Sequence, residues 1–294
     1  MFGEQKMDMN VSKYLAFVAT VDYGSFTRAS EVLNYSQSGI SRMIGDLERE
    51  WSLSLLERGK QGVRLTSDGE RLLPYARNLC AEYRRLEQQV DELRGVRSGV
   101  IRIGTISSIA SHWLPNIIKA FQADYPGIDY ELTIGSYAEL EQWVRDGTVD
   151  CAFTNLAYAE GFEGIELEED SFMAVVPAGH PLALMEVIPL ESLCTEPFML
   201  LENATSHDVS GLFAANGLSP RVHFTSWEDY AIMAMVESGL GVAMLPGLIL
   251  RRIAYRVAIR PTDRTVTRSL GVILRDRRSA PAAVKKFLEY LDRR

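Results

Sequence analysis

Leu72, Ala76, Leu79, Tyr83, Leu86, Val90 and Leu93 follow one another at alternating steps of four and three residues. That is a heptad seam, the pattern by which one helix lies along another. Thr66 or Ser67 is placed to cap the helix, and Asp68 and Glu70 in its first turn suit the positive end of the helix dipole. Pro74 is tolerated only near a helix start. About 28 residues at a rise of about 1.5 Å make a rod about 42 Å long. A module as small as the residues before it cannot cover so long a stripe. A second copy of the chain is the expected cover, with the C-terminal part of the same chain as the alternative.

Three shorter helices are expected upstream. Val11, Tyr14, Leu15, Val18 and Val21 recur at helical spacing. Ser25 is placed to cap a second helix through Phe26, Ala29, Val32 and Leu33, and Ser36 a third. In the third, Ile40, Ile44, Leu47 and Trp51 face inward, while Gln37, Ser38, Ser41 and Arg42 lie on the opposite face. Short or flexible hydrogen-bonding side chains at a helix start are what the major groove of DNA requires. A solvated helix face explains this segment equally well, because helix-turn-helix geometry is common without DNA. The following hairpin tips the balance. Leu53–Leu56 and Val63–Leu65 read as strands around a turn with two glycines, and the hairpin gathers Arg58, Lys60 and Arg64, as a wing on the phosphate backbone would.

The run from Gly24-Ser25-Phe26-Thr27 through Ser36-Gln37-Ser38-Gly39-Ile40-Ser41-Arg42 to Arg64-Leu65-Thr66 and Gly69-Glu70-Arg71-Leu72-Leu73-Pro74-Tyr75-Ala76 resembles the LysR-type transcriptional regulators. The resemblance is specific over about the first ninety-five residues and looser beyond. It implies that Thr27, Gln37, Ser38, Ser41 and Arg42 approach DNA and that Arg58 and Arg64 serve in the wing. It also implies self-association as a dimer or tetramer, and RNA polymerase as a further partner. The chain departs from the family at Ser38, where proline is usual, and at Ser52, where glycine is usual. The second change removes the customary left-handed cap, so the third helix is expected to end differently.

Net charge is −8, which by itself speaks against DNA. The average conceals a strong asymmetry. Residues 120–208 hold eighteen acids and one base, Arg145, whereas residues 251–294 hold thirteen bases and four acids. The first ninety-five residues are near balance, so a DNA-facing patch there must be local.

From Val100 onward strand and helix patterns alternate, which predicts parallel sheets flanked by helices. The expected fold is an α+β winged helix-turn-helix (8–66) and a linker or dimerisation helix (67–95), followed by an α/β effector domain (98–294). That domain resembles periplasmic binding proteins, with one subdomain at about 98–162 and 266–294 and the other at about 163–265. Ligands of such sheets sit at the carboxyl ends of strands. Those ends carry Thr105, Ser107, Ser108, Ser136 and Thr154, with Trp227 on the facing subdomain. Each hydroxyl alone is an ordinary helix cap; three successive strand ends at one cleft indicate a ligand site. Helix starts favour a carboxylate, so a small organic acid, aromatic in one form, is the leading expectation, while the acidic run keeps a neutral or cationic ligand open.

Catalytic signatures are missing. No Gly-x-Ser-x-Gly turn occurs, Ser206-His207-Asp208 are consecutive and cannot face one another as a triad, and Gly239-Leu240-Gly241 lacks the full dinucleotide pattern. His112, His180, His207 and His223 have no compact metal spacing. No enzyme, cofactor or metal is expected. Three scattered cysteines, Cys80, Cys151 and Cys194, and a first ten residues without a secretory pattern lead to a cytoplasmic expectation, and no apolar run is long enough for a membrane span. The competing reading is a solute-binding protein or small enzyme carrying a helical appendage.

Overall fold

The computed structural model describes residues 10–59, 62–93, 99–202 and 206–294. They fall into two compact units that divide near residue 96.

The N-terminal unit contains α1 (Val11–Asp22), α2 (Phe26–Leu33), α3 (Gln37–Trp51), a hairpin of β1 (Leu56–Gly59) and β2 (Gly62–Leu65), and α4 (Ser67–Leu93). The caps are those the sequence offers. Ser36 Oγ accepts from Gly39 N at 3.0 Å, Ser25 Oγ from Arg28 N at 3.4 Å and Thr66 Oγ1 from Gly69 N at 3.0 Å. Ile40, Ile44 and Leu47 of α3 meet Phe17 of α1 and Ala29 of α2 in one core. Glu48 Oε1 accepts from Leu55 N at 2.7 Å and Leu56 N at 3.1 Å, which fixes the start of the hairpin to the last turns of α3. Gly69 has no alternative: a Cβ there would lie 2.2 Å from the Leu55 carbonyl oxygen.

Two details differ from expectation. α3 does end in the left-handed conformation, with Ser52 itself at φ 53° and ψ 36°. The tertiary fold imposes the turn on a residue poorly suited to it. The seam of α4 is also divided. Ala76 is buried and Leu72 and Leu79 are half-buried in the core of their own module, whereas Leu86 and Val90 are 61% and 36% exposed. The helix runs unbroken through Pro74.

The second unit is a nine-stranded sheet with flanking helices. In chain order it comprises β3 (Gly99–Thr105), α5 (Ser107–His112), α6 (Leu114–Asp124), β4 (Ile128–Ile134), α7 (Tyr137–Arg145), β5 (Cys151–Asn155), β6 (Glu163–Pro177) and β7 (Pro197–Leu201). It continues with α8 (Asp208–Ala215), β8 (Arg221–Ser226), α9 (Asp229–Glu237), β9 (Val242–Pro246), β10 (Val257–Arg260), β11 (Thr267–Leu274) and α10 (Ala282–Phe287). The strand order is β4-β3-β5-β11-β6-β9-β7-β8, with β10 on β6.

The sheet is mixed rather than parallel. Two parallel groups, β4-β3-β5 and β9-β7-β8, are joined through β11 and β6, which pair antiparallel with their neighbours. β6 is 15 residues long, pairing with β11 along its first part and with β9 and β10 along its last. Three cores result. Trp113, Phe121, Phe153 and Phe287 lie in one, Phe198 and Phe213 in a second, and Ile232, Met233 and Val236 in a third. The carboxyl ends of β3, β4 and β7 and the starts of α5, α7, α8 and α9 converge on one cleft.

Candidate functional site

On the N-terminal unit, α3 buries Ile40, Ile44 and Leu47 and leaves Gln37, Ser38 and Arg42 exposed, with Ser41 half-buried. Ser38 Oγ lies 3.1 Å from Ser36 Oγ at the start of the helix. Thr27 is exposed on α2, as is its neighbour Arg28, a cation the sequence pattern did not single out. Arg64 is exposed on β2 and Arg58 lies on β1, paired with Val63. Lys60 lies outside the described residues.

In the second unit the cleft is lined on one side by Ile106, Ser107, Ile134, Gly135, Ser136 and Tyr137, and on the other by Leu201, Glu202, Ser206, Asp208, Trp227 and Asp229. Phe172, Pro246 and Arg268 form its floor. The cleft encloses about 80 Å³ and opens to solvent at its mouth.

Of the residues singled out in the sequence, Ser107, Ser136 and Trp227 line this space. Ser108 lies behind it, accepting from Arg268 Nη2 at 3.0 Å. Thr105 and Thr154 are fully buried and are not among the lining residues. They lie on the sheet, where inward-facing side chains pack under the helices.

The sequence reading missed the charged floor. Arg268 is buried and donates through Nε and Nη2 to Asp170 Oδ2 at 2.9 and 2.8 Å, and through Nη1 to the Tyr137 hydroxyl at 3.3 Å. Burial opposes its charge, but Tyr137 and Asp170 outweigh that, and its pKa is raised. Burial raises the pKa of the Tyr137 phenol against the lowering effect of Arg268. Asp229, in the first turn of α9, is pushed up to about 6 by burial, with Arg268 pulling the other way. Tyr158 stacks on Tyr137 with ring centroids 4.9 Å apart and donates to Asp208 Oδ1 at 3.1 Å. Only tertiary structure could have found these groups, because Asp170 and Arg268 come together across strands ninety-eight residues apart.

Among the described residues no group of His, Cys, Asp and Glu is placed to hold a metal ion, and no helix is long and apolar enough to cross a membrane. Burial raises the Cys80 thiol to about 11 and raises Cys151 as well, which leaves both as inert core groups.

The profile described as "LysR substrate binding domain" matches residues 94–294, and that described as "Bacterial regulatory helix-turn-helix protein, lysR family" matches residues 12–70. The chain belongs to the LysR family. It is a DNA-binding transcriptional regulator with an effector-binding domain, not a solute-binding protein with an unrelated appendage. Among its relatives, the probable regulator LrrA of Synechococcus elongatus is 30% identical over 96% of each chain. The uncharacterised regulator YvbU of Bacillus subtilis is 28% identical over 96% of this chain and 97% of that one. In fold, this LysR regulator is similar to a full-length OxyR variant from Pseudomonas aeruginosa, with a TM-score of 0.71 at 22% identity, covering 96% and 97% of the two chains. It is also similar to full-length CbnR bound to its target DNA, with a TM-score of 0.70 at 22% identity, covering 97% and 99%.

Proposed function

We propose that this regulator reads operator DNA with Thr27, Gln37, Ser38, Ser41 and Arg42, holds the phosphate backbone with Arg58, Lys60 and Arg64, and answers to a small molecule in the cleft. The observation that carries the reading is the split of α3. Its apolar stripe fills the module's core, while Gln37, Ser38 and Arg42 at its start remain exposed. Ligand acts by differential binding to two arrangements of the assembled protein. Ser107, Ser136 and Trp227 are the ligand contacts, with Ser108 behind them and Thr105 and Thr154 buried in the sheet away from the ligand. We divide the chain into 8–66, 67–95 and 98–294, the last with subdomains at about 98–162 with 266–294 and at about 163–265.

The reading includes a homodimer along α4, pairs of which form a tetramer, RNA polymerase as a further partner, a cytoplasmic location and no catalytic activity. The exposed Leu86 and Val90 support the dimer, and the family supports the rest. An organic acid as effector finds less support than the sequence suggested. Ser136 gives both its backbone N–H and its hydroxyl to Glu139 Oε2, at 2.8 and 2.6 Å, and Arg268 is paired with Asp170.

The DNA assignment is tested by titrating Arg42→Ala against the operator upstream of neighbouring genes at several salt concentrations. A base contact by Arg42 is worth about 1–3 kcal/mol, and a phosphate contact shows instead as a salt slope lower by about one. Unchanged affinity together with an unchanged slope removes Arg42 from the interface.

A further inference from the structure

We propose that the effector is a small organic cation, an ammonium group on an apolar body, and that Asp229 is its counter-ion. The proposal rests on the reading of the cleft as the effector site and assigns the ligand's charge. Among the described lining residues, the donors best placed to greet an anion, Ser136 and Arg268, are already in use, and Ser107 offers a hydroxyl without a charge. At the start of α7, Ser136 and Glu139 bond each other reciprocally, so the helix supplies its own carboxylate. α8 and α9 likewise begin with Asp208 and Asp229, which occupy the positive ends of those helices. Arg268 is the one cation among the described lining residues, and its Nε, Nη1 and Nη2 are spent on Asp170, Tyr137 and Ser108.

What faces the space instead is carboxylate. Glu202 is bonded by His207 and Ser210, and Asp208 by Tyr158 and Ser206. Asp229 differs from both. Among the described residues its carboxylate is hydrogen-bonded only by its own backbone N–H, with Arg268 acting on it through charge alone. A half-buried carboxylate that accepts no side-chain hydrogen bond is costly even with the charge of Arg268 nearby, and the cost shows in its raised affinity for a proton. An ammonium in the cleft supplies the missing partner. Trp227, 62% exposed at the mouth, offers aromatic surface to the cation and to its apolar body, whereas the Phe172 ring on the floor already lies under the Arg268 guanidinium.

The groups that bear on Asp229 are Arg268 and Asp170 from the floor, Tyr137 from α7 and Glu228 beside it. Tyr137 is neutral at physiological pH because its phenol is raised, and Arg268 keeps its charge. Of the cleft's carboxylates, Glu202 (bonded to His207), Asp208 and Asp229, it is Asp229 whose proton affinity burial raises towards neutrality. Protonation removes the counter-ion, so binding of a cation weakens as pH falls below about 6.

The experiment is calorimetry on the full-length protein with two probes of the same skeleton and opposite charge, phenethylamine and 3-phenylpropionate. The expected result is binding of the amine in preference to the acid, and a loss of roughly 10- to 100-fold for the amine in Asp229→Asn. The pH dependence should disappear in that variant, a readout that a merely structural role of Asp229 would not give. Binding of the acid as tightly as the amine, or no amine binding up to roughly 10 mM, overturns the proposal. Hydrogen exchange at Ser107 and Trp227 separates the two readings. Protection by the acid leaves the cleft as effector site and refutes the cation, whereas binding of either probe with protection only elsewhere refutes the cleft itself.

Discussion

At the residue scale the clearest misfit is Ser52, a side-chain-bearing residue held at φ 53° to end α3. The left-handed region costs an L-residue about 1 kcal/mol or more that glycine does not incur, partly offset by glycine's freer unfolded chain. Ser52→Gly is therefore expected to stabilise the N-terminal module by about 0.5–1 kcal/mol, read as a higher denaturant midpoint with an unchanged slope. A lower midpoint would mean that the Ser52 side chain contributes something its backbone angles do not reveal. The sequence already contained this position, because the resemblance drew attention to the missing glycine. It could not tell which would give way, the helix end or the residue's comfort. Glu48 decides, by fixing Leu55 and Leu56 to α3 and so dictating where the chain must turn. The serines of the cleft differ. Their types and places at helix starts were legible, and the Ser136-Tyr137-Ala138-Glu139 spacing that lets Glu139 hold Ser136 was a local capping-box signal the reading passed over.

At the element scale the periodic segments were legible and the long-range ones were not. α3 and its caps follow from spacing that any helix must satisfy, and α4 from its heptads. β6 and β11 were read as parts of a parallel alternation, yet they run antiparallel and bridge both groups of the sheet. A strand whose partner lies about a hundred residues away carries no local mark of direction. The bulge between Leu270 and Gly271 is equally silent, although a Cβ at Gly271 would come within 2.4 Å of the Ile165 carbonyl oxygen. The seam of α4 gives a prediction at this scale. Leu72, Ala76 and Leu79 are spent on their own module, so charge at Leu79 would damage folding rather than assembly. Leu86 and Val90 are the positions to change, because their apolar surface stands open. Leu86→Asp with Val90→Asp should leave the helical content and module stability intact, within about 0.5 kcal/mol for exposed positions, and shift sedimentation towards monomer. An unaltered assembly would move the dimer contact off this face.

At the scale of the whole effector unit, the two halves of the sheet are joined by β6 and β11, and the strongest polar link between those strands is also the floor of the cleft. Arg268 and Asp170 are directly opposite in register. From that pair, bonds reach Ser108 on α5, Tyr137 on α7 and, through Asp170 Oδ1 at 2.8 Å, the backbone N–H of Leu248 just past β9. Segments from both halves thus meet on one buried charge pair, and a ligand resting on it bears on both. Asp170→Ala leaves the guanidinium enclosed and uncompensated, and breaking a buried pair in this way costs about 3–5 kcal/mol. Replacing both partners, Asp170→Ala with Arg268→Met, removes the stranded charge as well and should recover a substantial part of the loss, so the two substitutions are expected to be far from additive. Trp113, Trp143 and Trp227 all lie in this unit and only Trp51 lies outside it, so tryptophan emission during denaturation reports chiefly on the effector domain. A double variant no more stable than Asp170→Ala alone would show that the cost lies in lost packing and hydrogen bonds, not in the buried charge.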